Sequence, residues 1–185
     1  MADKHLRMTE MTFHVDALRE QLALHPEVWN EIPLRTQQYE GSPHREIDDI
    51  WVRYNPLKNF KGDWTKFNGP HEPAWYPVAE KIPAAVTLCV SLAKYVEAQS
   101  LGAVLITRVP PGKQVYPHVD GGWHARYYEK FVIQIASAQG QTFNFEEESL
   151  DARPGECYWF DNAYPHWVLN PTSEERISLI VCVRR

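Results

Sequence analysis

The sequence predicts a mainly β fold, in which two facing sheets form the core and helices near the N-terminus support one of them. From residue 103 onward, short runs of β-forming residues recur at intervals of about ten residues, separated by proline and glycine. Helical periodicity is confined to the chain before that point. The 185 residues, 44% hydrophobic and 23% charged, suit one globular domain. We therefore expect a single domain over residues 1–185, with a mixed support region (1–102) and a β core (103–185).

The support region begins with a predicted helix and a predicted strand. Apolar residues from Val15 to Leu24 recur at close to helical spacing, and Pro26 stands where a helix would have to stop. This pattern predicts a helix over residues 12–25. Residues 47–54 are rich in β-forming residues and end at an Asn-Pro turn signal, so they predict a strand that flanks the main sheet.

A long loop and a second helix complete the support region. Residues 57–77 have no sustained period, which predicts an ordered loop. Aromatic residues are expected to pin it to the body, namely Trp64, Phe67, Trp75 and Tyr76. The helix predicted over residues 83–99 has proline in its first turn and Gly102 just past its end. The residues expected on its buried face are Val86, Cys89, Val90, Ala93 and Val96.

The β core is predicted to contain eight short strands. They lie at residues 103–109, 113–119, 128–136, 141–147, near 150, 156–161, 166–170 and 176–183. Eight strands in about eighty residues suit a double-stranded β-helix, the jelly roll of cupin-like proteins. The predicted helices would pack on the outer face of one sheet, because an exposed apolar face favours aggregation.

Composition excludes several classes of function. The formal net charge is −5 and the basic residues are scattered, so nucleic-acid binding has no electrostatic support. Three cysteines without a CxxC pair argue against a disulfide framework or a structural zinc site. No run of eighteen apolar residues and no export signal is found, so we expect a cytoplasmic protein without a membrane span. Motifs for a serine nucleophile or a phosphate-binding glycine loop are absent from the sequence.

Two histidines and one aspartate form a candidate metal site. Side chains at i and i+2 of a strand point to the same side, so His118 and Asp120 can converge on one ion. His166, from a later strand, would complete the two-histidine, one-carboxylate set that holds non-haem Fe(II) and leaves positions open. Each residue also has a simpler interpretation. His118 could be an exposed strand-end histidine, Asp120 could start an Asp-Gly turn, and His166 could belong to an aromatic cluster.

These residues carry a family resemblance that covers roughly the last eighty residues. The chain resembles the Fe(II)- and 2-oxoglutarate-dependent oxygenases and is most similar to their aspartyl/asparaginyl β-hydroxylase branch. The matching segments are Ile106 to Gly112, Pro117 to Gly121, Pro154 to Glu156, Trp159 to Asn162, His166 to Asn170 and Arg176 to Ile180. One departure is that aspartyl hydroxylases often carry glycine in place of the carboxylate ligand, whereas this chain has Asp120. The metal site therefore follows the wider superfamily, and the substrate of that branch cannot simply be transferred.

The resemblance implies Fe(II) as the metal, and 2-oxoglutarate and O2 as co-substrates. Arg176 stands ten residues after His166, where the family grips the distal carboxylate of 2-oxoglutarate, although it could also be a surface arginine. An arginine facing inward there would be costly without a partner. Thr107 stands eleven residues before His118, where the family commonly offers a hydroxyl to the same carboxylate. Its alternative role is that of an ordinary β-forming residue.

Further candidates follow from the alternation of the strand at 128–136. Phe131, Ile133 and Ile135 should pack on the outer core, while Lys130, Val132 and Gln134 should face the metal cavity. A buried polar residue is costly unless it has a partner, so Lys130 and Gln134 are candidates to hold the co-substrate or the substrate. In the loop after the metal ligands, the residues proposed to line the substrate mouth are Trp123, His124 and Arg126, with a solvated loop as the alternative.

The combined interpretation is a 2-oxoglutarate-dependent dioxygenase that hydroxylates an unactivated C–H bond. The branch similarity favours an amino-acid side chain, in a peptide or protein or as the free amino acid. Two rival classes are a cupin-like metal enzyme that does not use 2-oxoglutarate and a non-catalytic jelly-roll binding module. Arg176 discriminates against both, because neither needs a buried cation beyond the third metal ligand.

Overall fold

The computed structural model describes residues 5–37 and 41–185, apart from the side chain of Trp64. The helices are α1 (Asp16–Leu24), α2 (Leu57–Phe60), α3 (Val78–Lys81), α4 (Pro83–Tyr95) and α5 (Gly122–Tyr127). The strands of the N-terminal part are β1 (Leu6–Thr12), β2 (Asp48–Tyr54) and β3 (Ala74–Trp75). Those that follow are β4 (Ser100–Val109), β5 (Gln114–His118), β6 (Glu129–Ala136), β7 (Thr142–Asn144), β8 (Ser149–Leu150), β9 (Glu156–Phe160), β10 (His166–Leu169) and β11 (Arg176–Arg184).

Two antiparallel sheets face each other, which confirms the predicted jelly roll. Within the described residues, the large sheet has the strand order β1-β9-β6-β11-β4-β2-β3 and the small sheet has the order β5-β10-β7-β8. All eight strands predicted for the β core are present, although β7 covers only three residues of the predicted 141–147. The strand predicted at 47–54 is β2, and it pairs with β4 as the expected flanking strand.

The predicted helix over residues 12–25 is wrong at its N-terminal end. Residues Leu6–Thr12 form β1, an edge strand that pairs antiparallel with β9, and the helix begins only at Asp16. Most side chains of β1 are at least partly exposed, so the strand lacks the apolar alternation that identifies a half-buried strand. Its pairing with β9, distant in sequence, is what makes it a strand.

The second predicted helix is shorter than expected, and its buried face agrees only in part with the predicted one, since Cys89 is buried and Ala93 and Val96 pack against the core. Helix α4 ends at Tyr95 rather than near residue 99, and Glu97 turns the chain with a φ of 54°. Its buried residues are Ala85, Leu88, Cys89 and Leu92, whereas Val90 is 54% exposed. Gly102 lies inside β4, where a Cβ atom would approach the ring of Tyr128 to 2.8 Å. This glycine is therefore required by packing and does not cap the helix.

The predicted loop over residues 57–77 contains short elements. It includes α2, a 3-10 turn at Trp64–Lys66 and the two-residue strand β3. Phe67 and Tyr76 are buried and pin the segment, as predicted, but Trp75 is 37% exposed. The side chain of Trp64 lies outside the described part. Helices α3 and α5, of four and six residues, were not predicted because they are too short to show a period.

The core has two parts, on either side of the large sheet. On the outer face, α1 and α4 pack against β4, β6 and β11, and Phe131, Ile133 and Ile135 point to this side as predicted. The second cluster fills the space between the two sheets, and its members include Val109, Val132, Phe143, Tyr158, Phe160 and Val168. No helix in the described ranges is long and apolar enough to cross a membrane.

Candidate active site

The structure brings His118, Asp120 and His166 together between the sheets. His118 ends β5 and lies directly opposite His166 in the antiparallel pair β5–β10. One potential ligand atom from each residue lies within 4.8 Å of the other two. Asp120 is two residues beyond the end of β5, and its backbone N–H donates to the carbonyl of Asn162 at 3.1 Å. That hydrogen bond fixes the carboxylate beside the two imidazoles.

A bulge in β5 aims His118 into the site. Between two paired positions β10 advances by two residues, from His166 to Val168, whereas β5 runs back by three, from His118 to Val115. The extra residue changes the alternation, so that both His118 and Val115 line the same cavity.

Both imidazoles have their second nitrogen committed to the backbone. Nδ1 of His118 donates to the carbonyl of Tyr116 at 2.8 Å, and Nδ1 of His166 donates to the carbonyl of Tyr164 at 2.8 Å. Since a carbonyl only accepts, the proton of each neutral ring resides on Nδ1 and the lone pair on Nε2. The two Nε2 atoms each lie 3.7 Å from an oxygen of Asp120. This is the arrangement of histidine metal ligands held by a second hydrogen bond.

The protonation states suit a divalent cation. Burial lowers the pKa of His166 to about 4 and also lowers the pKa of His118, so both rings are neutral near pH 7. Burial acts to raise the pKa of Asp120, but the charge of the Lys130 ammonium and its hydrogen bond to the carboxylate outweigh burial and hold that pKa below its usual value. Two neutral imidazoles and one carboxylate form a ligand set suited to Fe(II).

Two cavities adjoin each other at the candidate metal site. The inner cavity lies between the sheets and reaches Thr107, Arg176 and Ser178. The outer cavity opens towards β2 and α5 and is lined by aromatic residues, including Trp51, Tyr54 and Trp123. The residues that line both cavities are Arg35, His44, His118, Asp120 and Lys130.

Arg176 is a buried cation in the wall of the inner cavity. Its residue exposure is only 2%, which excludes a surface arginine. Nη1 donates to Ser178 at 2.7 Å and Nη2 donates to Tyr158 at 3.3 Å, while Nε has no partner within the protein. Among the described residues no carboxylate lies within ion-pair distance of it. A guanidinium in this state is suited to bind an anion through charge-assisted hydrogen bonds.

Thr107 and Gln134 flank Ser178 in the large sheet. Ser178 is paired with Thr107 on β4 and with Gln134 on β6. Thr107 lines the inner cavity, but Gln134 does not. The amide of Gln134 donates to the carbonyls of Ala136 and Ile177 and accepts from Ser178 at 3.2 Å. Gln134 is therefore placed to orient Ser178 and not to touch a ligand directly.

Lys130 points into the cavity, as expected, and its ammonium forms an ion pair with Asp120. The three residues expected at the substrate mouth differ in their placement. Trp123 and His124 line the outer cavity, although Nε2 of His124 accepts from the backbone N–H of Ala103 at 3.2 Å. Arg126 is exposed and lines neither the inner nor the outer cavity.

Among the described residues, four polar side chains of the inner cavity were not identified from the sequence. Ser178 stands two residues after Arg176 and Tyr158 two residues before Phe160, so strand alternation could have revealed both. Arg35 and His44 come from an irregular segment before β2, where no periodicity indicates which side chains point inward.

Comparison with known proteins agrees with this fold. A family model described as aspartyl/asparaginyl beta-hydroxylase matches residues 9–185, so the resemblance extends well beyond the last eighty residues. No match is found among curated proteins.

Three solved structures have the same fold at low sequence identity. A Trichoplax adhaerens prolyl hydroxylase, solved with a hypoxia inducible factor peptide fragment, has a TM-score of 0.61 and 11% identity over 97% of this chain and 83% of its own. The collagen prolyl hydroxylase of Paramecium Bursaria Chlorella virus-1, in a 2-oxoglutarate complex, has a TM-score of 0.55 and 13% identity over 97% and 96%. A Burkholderia pseudomallei protein of the 2OG-Fe(II) oxygenase family has a TM-score of 0.54 and 16% identity over 75% and 66%.

Proposed function

Because the chain belongs to the aspartyl/asparaginyl β-hydroxylase family, we propose that it is an Fe(II)- and 2-oxoglutarate-dependent dioxygenase. It would hydroxylate an unactivated C–H bond and release succinate and CO2. The bound iron and 2-oxoglutarate would supply the oxidising chemistry, and the protein residues would position the reactants.

The observation that carries this proposal is the buried, unpaired Arg176 in the same cavity as the metal triad. A cation without a counter-ion costs free energy in a protein interior, so its retention there calls for an anionic ligand. The distal carboxylate of 2-oxoglutarate would accept hydrogen bonds from Arg176, with the hydroxyls of Ser178 and Tyr158 already in contact with the same guanidinium. A metal site alone would not need this arrangement.

Other residues of the inner cavity would complete co-substrate binding. Thr107 on β4 is paired with Ser178 on β11 and lines the inner cavity. We propose that its hydroxyl donates to the distal carboxylate of 2-oxoglutarate. Lys130, beside Asp120, would place its ammonium near the end of the co-substrate that chelates the metal. The apolar walls would exclude water from the reaction, and they consist of Val115, Val132, Phe143, Phe160, Val168 and Ile180.

We propose an amino-acid side chain as the substrate, in a peptide or protein or as the free amino acid. The outer cavity supports this, since it is open, adjoins the metal ligands and is lined by aromatic residues that can pack against such a group. The Trichoplax adhaerens structure, with its peptide fragment, shows a protein of this fold with a peptide bound.

The test is succinate formation from 2-oxoglutarate with Fe(II) and O2, across a panel of amino acids and peptides. Wild-type protein should form succinate, and His166→Ala, which lacks a metal ligand, should not. Succinate formation that is equal in both proteins, or absent from wild type with every substrate, would contradict the proposal.

A further inference from the structure

The ion pair between Lys130 and Asp120 gives the candidate metal site a cation of its own. Lys130 stands on β6, inside the large sheet, where it is paired with Phe160 on β9 and with Cys182 on β11. Its side chain is 16% exposed and that of Asp120 is 18% exposed. Among the described residues, Asp120 is the one hydrogen-bond partner of the ammonium. Burial shields the pair from water, which strengthens the interaction of the two charges.

The ammonium of Lys130 and a metal ion would compete for the same carboxylate. The ammonium donates to Oδ2 of Asp120, and this oxygen also lies 3.7 Å from Nε2 of His166. The other carboxylate oxygen, Oδ1, lies 3.7 Å from Nε2 of His118. An ion held by these three residues must therefore share the carboxylate with Lys130 or take it from Lys130.

The inner cavity has an excess of positive charge once a metal ion is bound. Among the described residues that line it, Asp120 is the single carboxylate, against Lys130, Arg176 and Arg35. Arg35 is balanced by its ion pair with Asp49. A divalent cation would add two positive charges directly beside Lys130. Metal binding without an accompanying anion is therefore disfavoured.

An alternative role of Lys130 is to favour the metal by fixing Asp120 in place. The gain from this is small, because only one short side chain is ordered and the backbone of Asp120 is already held by its hydrogen bond to Asn162. The repulsion between an ammonium and a divalent cation that share one carboxylate is larger in a buried site. The charge of Lys130 should therefore determine the sign of its effect on metal affinity.

From these observations we propose that Lys130 couples metal binding to anion binding in the inner cavity. In the metal-free protein it is the counter-ion of Asp120 and lowers the affinity for a divalent cation. A dicarboxylate such as 2-oxoglutarate supplies the missing negative charge, with one carboxylate for Arg176 and the other for Lys130. The inference rests on the proposed function and deepens it. By linkage, each of the two ligands raises the affinity of the site for the other.

The test measures the affinity of the full chain for Mn(II) by isothermal titration, alone and with a saturating dicarboxylate. Glutarate is the probe, because it has both carboxylates of 2-oxoglutarate but not the 2-oxo group that takes part in chelation. In wild type, glutarate should raise the Mn(II) affinity by about 5- to 150-fold, the usual range for coupled sites. In Lys130→Met, Mn(II) alone should bind at least about tenfold more tightly than in wild type. The gain from glutarate should be smaller there by a factor of about five or more.

Two further variants separate the charge of Lys130 from positioning. Lys130→Gln keeps a hydrogen-bond donor for Asp120 without the charge, so it should resemble Lys130→Met, and it keeps the test valid if the methionine variant does not fold. Lys130→Arg keeps the charge and should stay close to wild type in both measurements. Lys94→Met is the matched control, because this lysine is exposed on α4 and lines neither the inner nor the outer cavity. Circular dichroism checks the fold of each protein first.

The proposal is overturned if both uncharged variants bind Mn(II) alone no more tightly than wild type, or if glutarate leaves the wild-type affinity unchanged. It is also overturned if the variants retain the full gain from glutarate. A loss of Mn(II) affinity in Lys130→Met that Lys130→Gln restores would make Lys130 a positioning residue of Asp120 and would contradict the proposal as well. The proposed function fails separately, if wild type loaded with Fe(II) does not bind 2-oxoglutarate without O2. The Mn(II) titrations then still decide whether Lys130 limits metal affinity.

Discussion

The candidate metal triad was predictable from the sequence at the scale of single residues, because the types and spacing of its residues are specific. The placement of Arg35 and His44 in the cavity wall was not predictable, since both lie in a segment without regular structure and reach the site only through tertiary contacts. The position of His118 inside the site also depends on a bulge, which no local pattern indicates. Candidate site residues could thus be predicted where they lie on regular strands, and could not be predicted in irregular segments.

The first residue-scale prediction concerns metal binding. His118→Ala and His166→Ala should each abolish binding of Fe(II) or of Mn(II) as a redox-inert substitute, because each removes one of three ligands. Asp120→Ala should also weaken metal binding, but by less than the histidine variants if a water molecule takes the place of the carboxylate. Isothermal titration of Mn(II) measures this, with His14→Ala at an exposed position as the matched control. Wild-type affinity in both histidine variants would refute the triad.

The second residue-scale prediction is a pH dependence of stability from His124. Burial lowers the pKa of this imidazole from 6.5 to about 3 in the folded protein, and its Nε2 accepts from Ala103. Between these values the unfolded chain binds more protons, so stability falls as the pH falls. One such group contributes a slope of up to about 1.4 kcal/mol per pH unit.

His124→Gln keeps an acceptor for the Ala103 N–H but cannot titrate. Urea unfolding of the metal-free protein at about pH 7 and about pH 5 should therefore show a smaller loss of stability in the variant. The other histidines are common to both proteins and cancel in the comparison. An equal loss in both would show that His124 does not stay neutral in the folded state.

Individual elements were predictable when one face of the element is buried. The alternation in β6 follows the contrast between the outer core and the cavity, so the strand and its cavity residues Lys130 and Val132 were identified. On β11 only Arg176 was identified, and Ser178 was missed. Strand β1 was missed because an exposed edge strand lacks that contrast, and the buried face of α4 was predicted only in part because apolar residues surround most of its circumference. In both cases the neighbouring elements determine the strand pairing or the buried face, and the sequence of the element alone does not.

The element-scale prediction concerns the packing of β4 against the start of β6. In Gly102→Ala the new methyl group would meet the buried ring of Tyr128 at 2.8 Å. Overpacking of this kind costs about 1 to 3 kcal/mol of unfolding free energy. Gly121→Ala is the control, since nothing lies within 4 Å of its added Cβ and its φ is −113°. Urea unfolding should show the loss only at Gly102, and equal stabilities would contradict the role of this contact.

At the scale of the whole molecule, the division into residues 1–102 and 103–185 does not follow the packing. Strands β1, β2 and β3 come from the first part but belong to the large sheet, and α1 and α4 cover its outer face. The sequence distinguished the two regions only as chain segments, by their different periodicity. It could not show that the large sheet is completed from both, because strand pairing between distant segments leaves no local signal.

We therefore propose that the chain is one cooperative domain, and we predict that residues 103–185 do not fold alone. The fragment would expose the apolar outer face of the sheet, with residues such as Phe131 and Ile133 in contact with water. Circular dichroism and amide NMR of the fragment should show no stable fold, whereas the full chain should unfold in a single transition. A fragment with dispersed amide signals and a cooperative thermal transition would disprove the single domain.

The central claim is that the cavity binds 2-oxoglutarate through Arg176, and the most direct measurement is its titration into the iron-loaded protein without O2. Arg176→Ala removes charge-assisted hydrogen bonds that contribute roughly 1.5 to 3 kcal/mol, which corresponds to a rise in dissociation constant of about tenfold to a hundredfold. Arg176→Lys should recover part of the loss, because an ammonium cannot form two parallel bonds, and metal affinity should hardly change in either variant. If Arg176→Ala binds 2-oxoglutarate as tightly as wild type, the arginine does not hold the co-substrate and the proposed oxygenase activity loses its main support.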